Sequence, residues 1–212
     1  MPKYMMKGLI RLLIQSHKII AEHIYENVRD HLNINLDKRF LIYGSIKPDI
    51  VPRLFKIPHY HEDSIHFIED EIYKLASAPF IYDKEYIKHF SIQLGVITHF
   101  IADYFCLAHN DKEIYRDNIW AHLKYESTLH GHFKNAKEAP KKLASYISNL
   151  GDNKETISAL FDHLFSRYKN NIPSFQNDVQ HSIESASVIS LFIVYNCVEN
   201  KKLFRTLIEA VA

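Results

Sequence analysis

Apolar residues in this chain recur at intervals of three and four rather than alternating, the signature of helices with one buried stripe. The first such run spans about residues 7–32 and puts Leu9, Leu12, Leu13, Ile19, Ile20, Ile24 and Val28 on or near one face. It carries His17 and His23 six residues apart, on different faces. Over 40–61 the pattern lapses: Gly44, Pro48, Pro52 and Pro58 argue against regular helix, and a folded loop holding Asp49, His59 and His61 is expected. Helical spacing resumes over 64–76, over 84–107 with Gly95 tolerated inside it, and over 117–133. Beyond Pro140 further helices are expected at 141–149, 154–169 and 179–211, the last broken near Asn200. The lysine-rich stretch 134–142 reads as a solvated connection, and no repeat, linker or low-complexity segment divides the chain. The expectation is therefore an all-α protein, a single compact multi-helix domain over 1–212.

Composition changes this picture in one respect. Charged residues nearly balance, 26 basic against 25 acidic, and no polybasic run offers nucleic acid or an anionic bilayer an electrostatic footprint. The 14 histidines are unusual for this length, and their spread from His17 to His181 rules out a terminal tag, so metal enters the argument. Cys106 and Cys197 both sit in apolar stretches, which suits reduced, buried thiols and a reducing compartment. Near the N-terminus Arg11 interrupts an apolar run and no small-residue cleavage site follows, so an unprocessed, soluble, cytoplasmic chain is expected. No stretch was expected to span a membrane, which takes roughly 20 predominantly apolar residues.

Two helices each present a polar pair on one face. His99 and Asp103 lie four residues apart inside an otherwise apolar segment, and His122 and Glu126 repeat that spacing on the next helix. An unpaired aspartate among apolar side chains carries a desolvation cost that a cation or hydrogen bonds must offset. His109 follows Asp103 near the helix end. Zinc suits a mixture of imidazole and carboxylate, and no cysteine pair is placed to make a thiolate site. The metal would sit between helices in a catalytic rather than structural arrangement.

The spacing His99-x3-Asp103-x5-His109, then His122-x3-Glu126, resembles that of bacterial zinc-dependent phospholipases C, whose helical fold is shared by zinc-dependent single-strand nucleases. Upstream, Ser16-His17 resembles the family's N-terminal histidine ligand. Gly44-Ser45-Ile46-Lys47-Pro48-Asp49 resembles its aspartate loop, and His59 in Ile-Pro-His-Tyr fits the next histidine, with His61 as the alternative. The resemblance implies one zinc on Asp49, His59, His99 and Asp103, and a second on His109, His122 and Glu126. It implies a third zinc held in part by His17 and a bridging Asp103. It further implies that Asp49 steers a metal-activated water onto a phosphodiester, with phospholipid as the substrate. The secreted members complete their third site with a processed N-terminal tryptophan, whereas this chain starts Met-Pro-Lys and its one tryptophan is Trp120. That leaves the third site unfilled, completed by water, or filled by another metal. No counterpart of those members' separate C-terminal lipid domain is expected.

Taken singly, a histidine on a helix is more often surface or hydrogen-bonded core than ligand. His23, His31, His66, His89, His130, His132, His163 and His181 are read that way. Tyr60, Phe100 and Tyr104 fall close enough to the ligand positions to line a pocket, while Cys106 reads as core. Carboxylate-bridged di-iron sites need Glu-x-x-His, which does not occur, and no adjacent His-Asp doublet is present. Two alternatives remain beside the phospholipase: a nuclease or small-molecule phosphodiesterase using the same metals, or a non-catalytic protein stapled by metal.

Overall fold

Four helix starts in this chain are set by short polar side chains just ahead of the apolar run. The computed structural model describes residues 3–111, 118–136 and 153–211. Among these it shows α1 (Lys3–Leu32), α2 (Lys38–Ile50), α3 (His61–Ser77), α4 (Lys84–Tyr104), α5 (Ile119–Phe133), α6 (Lys154–Asn170) and α7 (Phe175–Val211). There is also a short 3-10 turn, Leu107–His109, and no strand among the described residues. Asp37, Asp83, Asn118 and Asn153 each accept a hydrogen bond from a backbone N–H in the first turn of α2, α4, α5 and α6 respectively. At the other end of α1, Asn33 takes a left-handed conformation with φ of 54° and donates its N–H to Arg29 O, which stops the helix. The helix expected at 141–149 and most of the 134–142 connection lie outside the described residues.

Three expectations are corrected. The first concerns residues 38–50, which form α2 and not a loop. Pro48 sits in the last turn, where its missing N–H removes only one intrahelical bond, and packing against α4 outweighs the unfavourable propensity. Gly44 belongs to that packing: a Cβ there would lie 2.2 Å from Ile92 O, and one on Gly95 would lie 2.4 Å from Leu41 O. The two glycines let the α2 and α4 backbones nearly touch. The second correction is that α4 ends at Tyr104, not 107. Asn110 Nδ2 donates to Tyr104 O (2.6 Å) and Cys106 O (2.9 Å), and Ser182 Oγ donates to Ala102 O (3.0 Å), so the last carbonyls are satisfied from outside the helix. The third is that α7 runs unbroken through Asn200, whose side chain donates to Ala76 O on α3 rather than capping its own helix.

The core is organised around α7. Residues 181–194 are all buried, and α1, α3, α4, α5 and α6 pack around this helix. By length and composition alone its segment Phe175–Asn200 is apolar enough to cross a membrane, but 89% of its most apolar stretch is buried within the fold, as in a core helix. Cys106 and Cys197 are free, buried thiols, and Cys197 Sγ donates to Leu75 O.

The glycine contact gives a first prediction. Gly95→Ala would force a methyl against Leu41 O and Ser45 N, both backbone atoms that cannot swing aside. The expected cost is about 1–3 kcal/mol of stability, read as a lowered midpoint in urea unfolding. Gly131→Ala meets nothing within 4 Å and serves as the control that should not destabilise.

Candidate metal centre

Six segments deliver eight polar side chains to one place. His17 comes from the middle of α1 and Asp49 from the last turn of α2, while His59 comes from the connection just before α3. His99 and Asp103 come from the last turns of α4, His109 from the 3-10 turn, and His122 and Glu126 from α5. All eight positions singled out in the sequence meet here. Their ligand-type atoms form three sets in which every atom lies within 4.8 Å of the others: His17, His99 and Asp103; Asp49, His59 and His99; His109, His122 and Glu126.

Asp103 joins the sets. Its Oδ2 lies 2.7 Å from His59 Nδ1 and 3.3 Å from His99 Nε2. Its Oδ1 lies 3.3 Å from His17 Nε2 and 3.8 Å from His109 Nε2. The two oxygens of one carboxylate thus face different groups of imidazoles. His109 Nε2 and His122 Nε2 both point at Glu126 Oε1, at 2.9 and 3.2 Å. His61 stands apart, stacked on Phe165 with ring centroids 4.2 Å apart, so of the two neighbouring histidines His59 is the one in the cluster.

The scaffold sets which ring nitrogen faces inward. Ser45 O accepts a hydrogen bond of 2.8 Å from His99 Nδ1, which leaves the Nε2 lone pair of the neutral ring aimed at Asp49, His59 and Asp103. The Ser45 hydroxyl donates to His17 O at 3.3 Å, so one residue of α2 ties both histidine-bearing helices. His59 is held through its own neighbourhood: Ser64 Oγ donates to Pro58 O and pairs with the Tyr104 hydroxyl, pinning the start of α3 to the end of α4. Phe100 and Tyr104 are fully buried, and the Phe100 ring packs beside the cluster, its centroid 4.9 Å from that of His59.

Two observations test whether the donor set fits zinc. Donors about 2.0–2.1 Å from a tetrahedral zinc lie roughly 3.3–3.4 Å from one another. Here His17–Asp103, His99–Asp103 and His59–His99 are each separated by 3.3 Å, and His122–Glu126 by 3.2 Å. Among the described residues seven buried side-chain atoms have no hydrogen-bond partner, and two of them, Asp49 Oδ2 and Glu126 Oε2, are carboxylate oxygens of this cluster. The clustered residues fit metal binding.

Electrostatics point the same way. Burial opposes ionisation of Asp103, but His109, His99 and His17 outweigh it and hold the carboxyl well below its usual range. Burial likewise opposes ionisation of Glu126, yet hydrogen bonds from His109 and His122 bring its pKa down to about 2. Asp49 and Asp103 also lie in the last turns of α2 and α4, where the helix dipoles present their negative ends. These features make the place attractive to cations.

Sequence reasoning missed the residues that support the cluster. The backbone carbonyl of Ser45 leaves no side-chain signature. Asp178 does: it is a fully buried carboxylate near the start of an apolar helix, the same anomaly that drew attention to Asp103.

Comparison with known proteins gives one match. A family model described as zinc dependent phospholipase C fits residues 16–175. No curated protein and no solved structure matches.

A pH dependence follows from His109. Burial disfavours its imidazolium, but Asp103, Glu126 and Asp49 outweigh burial and raise its pKa from 6.5 to about 9. In metal-free protein this contribution to stability is complete below pH 6.5 and is lost as pH rises through about 9. Glu126 works in the opposite sense, stabilising above pH 4.5 and losing that effect as pH falls through about 2. A metal ion must displace the His109 proton, so zinc affinity should climb about tenfold per pH unit towards pH 9. Thermal melts with zinc and with chelator at pH 6.5 and 9 check this: the gap in Tm should be wider at the higher pH. An equal gap would mean that no proton on His109 competes with metal.

Proposed function

The chain belongs to the zinc-dependent phospholipase C family, and from that membership we propose that it is a zinc-dependent phosphodiester hydrolase cleaving phospholipid to diacylglycerol and a phosphorylated head group. The observation that carries the reading is the divided carboxylate of Asp103, one oxygen toward His59 and His99 and the other toward His17 and His109. A bridging carboxylate suits the paired-metal arrangement used for in-line displacement at phosphorus. In this reading Asp49, His59, His99 and Asp103 would hold one zinc and His109, His122 and Glu126 a second, while His17 and Asp103 would help to hold a third. When bound, zinc supplies Lewis acidity toward phosphoryl oxygens and a water that is acidic near neutral pH. Asp49 is the general base: its Oδ2 is buried beside the cluster without a hydrogen-bond partner and is available to take the proton of the attacking water.

A lipid rather than a nucleotide is the substrate class that the family match supports, and a largely apolar cavity of about 370 Å3, with Lys47, Glu71, Lys74 and His89 also on its wall, lies between α3 and α4. Phe67, Ile68, Leu75, Phe90, Val96 and Ile97 line it. Ile97 lies two residues before His99, about 200° round α4, so the cavity opens on a different face of that helix from the two candidate ligands it carries. Near-neutral charge, with no basic groove evident in the sequence, gives a polynucleotide no comparable support.

Metal analysis and turnover test this together. Protein purified without chelator should carry two or three zinc equivalents per chain and hydrolyse phosphatidylcholine, and His99→Ala with Asp103→Ala should lose both properties. Asp49→Asn should keep at least the zinc held by His109, His122 and Glu126 while kcat falls by about 100- to 10,000-fold. Zinc without turnover of any phosphodiester would instead identify a metal-stapled protein.

The cavity is tested separately with phosphatidylcholines of increasing chain length below their micellar concentrations. Here kcat/KM should rise by up to roughly fourfold per methylene, the factor equivalent to about 0.8 kcal/mol. Val96→Trp, which fills the cavity, should flatten that dependence while leaving zinc content unchanged.

A further inference from the structure

The 3-10 turn that carries His109 is held from a distance by one carboxylate. Asp178, near the start of α7, is fully buried. Its Oδ2 accepts hydrogen bonds from Leu107 N at 2.8 Å and from the Tyr125 hydroxyl at 2.9 Å, and its Oδ1 accepts one from the Tyr168 hydroxyl at 2.9 Å. Leu107 opens the turn that ends at His109, and Tyr125 precedes Glu126 on α5. A single side chain therefore anchors both segments that meet in the 2.9 Å contact between His109 Nε2 and Glu126 Oε1. Tyr168 ties α6 to the same point. Three donors converge on this side chain, the complement of an acceptor-only carboxylate. Ser182, one turn further along α7, donates to Ala102 O at 3.0 Å and Phe105 O at 3.3 Å, and holds the other side of the break after α4.

We propose that Asp178 is a positioning residue for the metal centre, fixing the Leu107–His109 turn and α5 in the register that lets His109, His122 and Glu126 share one ion. The proposal rests on the reading of those three residues as a metal site. Asp178 lies beyond residue 175, outside the stretch that the family model matches, so nothing in the family assignment gives it this part. The first turn after an α-helix break has unpaired N–H groups, and a buried acceptor that satisfies one of them sets the direction in which the following residues point. Without that acceptor Leu107 N–H is left buried and unpaired, and the turn can relieve this only by moving His109.

The conservative variant separates anchoring from charge. In Asp178→Asn the amide oxygen can accept from Leu107 N and Tyr125, while the amide nitrogen donates to the Tyr168 hydroxyl, which accepts as readily as it donates. Asp178→Ala removes all three contacts. Zinc affinity and stoichiometry would be measured by competition titration, and the visible spectrum would be followed after cobalt substitution, with circular dichroism reporting helix content. We expect Asp178→Asn to match the wild type. Asp178→Ala should weaken one ion by about 10- to 100-fold, with loss of its share of the cobalt spectrum and the remaining sites intact. Ser182→Ala, on the same helix, should lower Tm without that selective loss.

Wild-type affinity for every ion in Asp178→Ala would overturn the proposal. Equal losses in the Asn and Ala variants, or a uniform weakening of all ions, would do the same. Should the alanine variant fail to fold, Tyr125→Phe decides, because it releases α5 alone and should weaken the same ion; unchanged affinity would overturn the proposal. A wild type holding less than one equivalent of metal would overturn the metal reading itself, a result distinct from each of these.

Discussion

A buried carboxylate at the end of a buried helix is the constraint around which this protein is arranged. Asp103 lies in the last turn of α4, where the helix dipole repels negative charge and where little water reaches. Four imidazoles, from His17, His59, His99 and His109, stand within 3.8 Å of its oxygens. Together they overcome the cost of burial, and they come from four different segments. The buried charge of Asp103 is tolerated only while those segments remain in place, so the charge and the tertiary structure hold one another. A cation between the same groups would strengthen that dependence, since the ligands converge only in the folded chain.

The precision of the convergence comes from elements that carry no candidate ligand chemistry of their own. Gly44 and Gly95 bring the α2 and α4 backbones together, and that approach is what lets Ser45 O reach His99 Nδ1. On the opposite side α7 reaches the turn after α4 through Asp178 and Ser182. Each candidate ligand sits on or just beyond a helix, and helices shift as rigid units, so close packing and a few buried hydrogen bonds suffice to set distances to tenths of an ångström.

Helix type and most members of the polar cluster are legible in the sequence because they depend on local periodicity. His99 with Asp103 and His122 with Glu126 declare a shared face by spacing alone, and an aspartate amid Phe100, Ile101 and Ala102 declares a compensated charge. The misreadings share a cause. In α2, Gly44 and Pro48 are helix breakers by propensity, yet the glycine serves a contact with Ile92 and the proline falls within the last turn. After Tyr104 the apolar pattern continues through Phe105 and Cys106 although the helix stops, because Asn110 and Ser182 satisfy the last carbonyls from outside. Asn200 looked like a break and instead bonds across to α3. In each case the deciding partner is distant in sequence, where propensity has no reach.

The same logic explains why α4 reads as almost wholly apolar while serving several neighbours. At about 100° per residue, Gly95, His99 and Asp103 form one stripe facing α2 and the polar cluster. Tyr86, Phe90, Gln93 and Ile97 form another that lines the cavity against α3. Leu94, Thr98 and Ile101 occupy the remaining face and are buried. Lys84, Glu85, His89 and Gln93 face solvent in the first half of the helix, while from Leu94 to Tyr104 every residue but the half-buried Val96 is buried, and His99 and Asp103 stand out there against mostly apolar neighbours. Rotation of α4 about its axis would trade one set of contacts for another, and the stop against it is steric: the backbone of α2 meets Gly95 where any larger residue would collide. The proposed metal centre and the proposed tail cavity are thus kept in fixed relation by a residue that touches neither metal nor lipid.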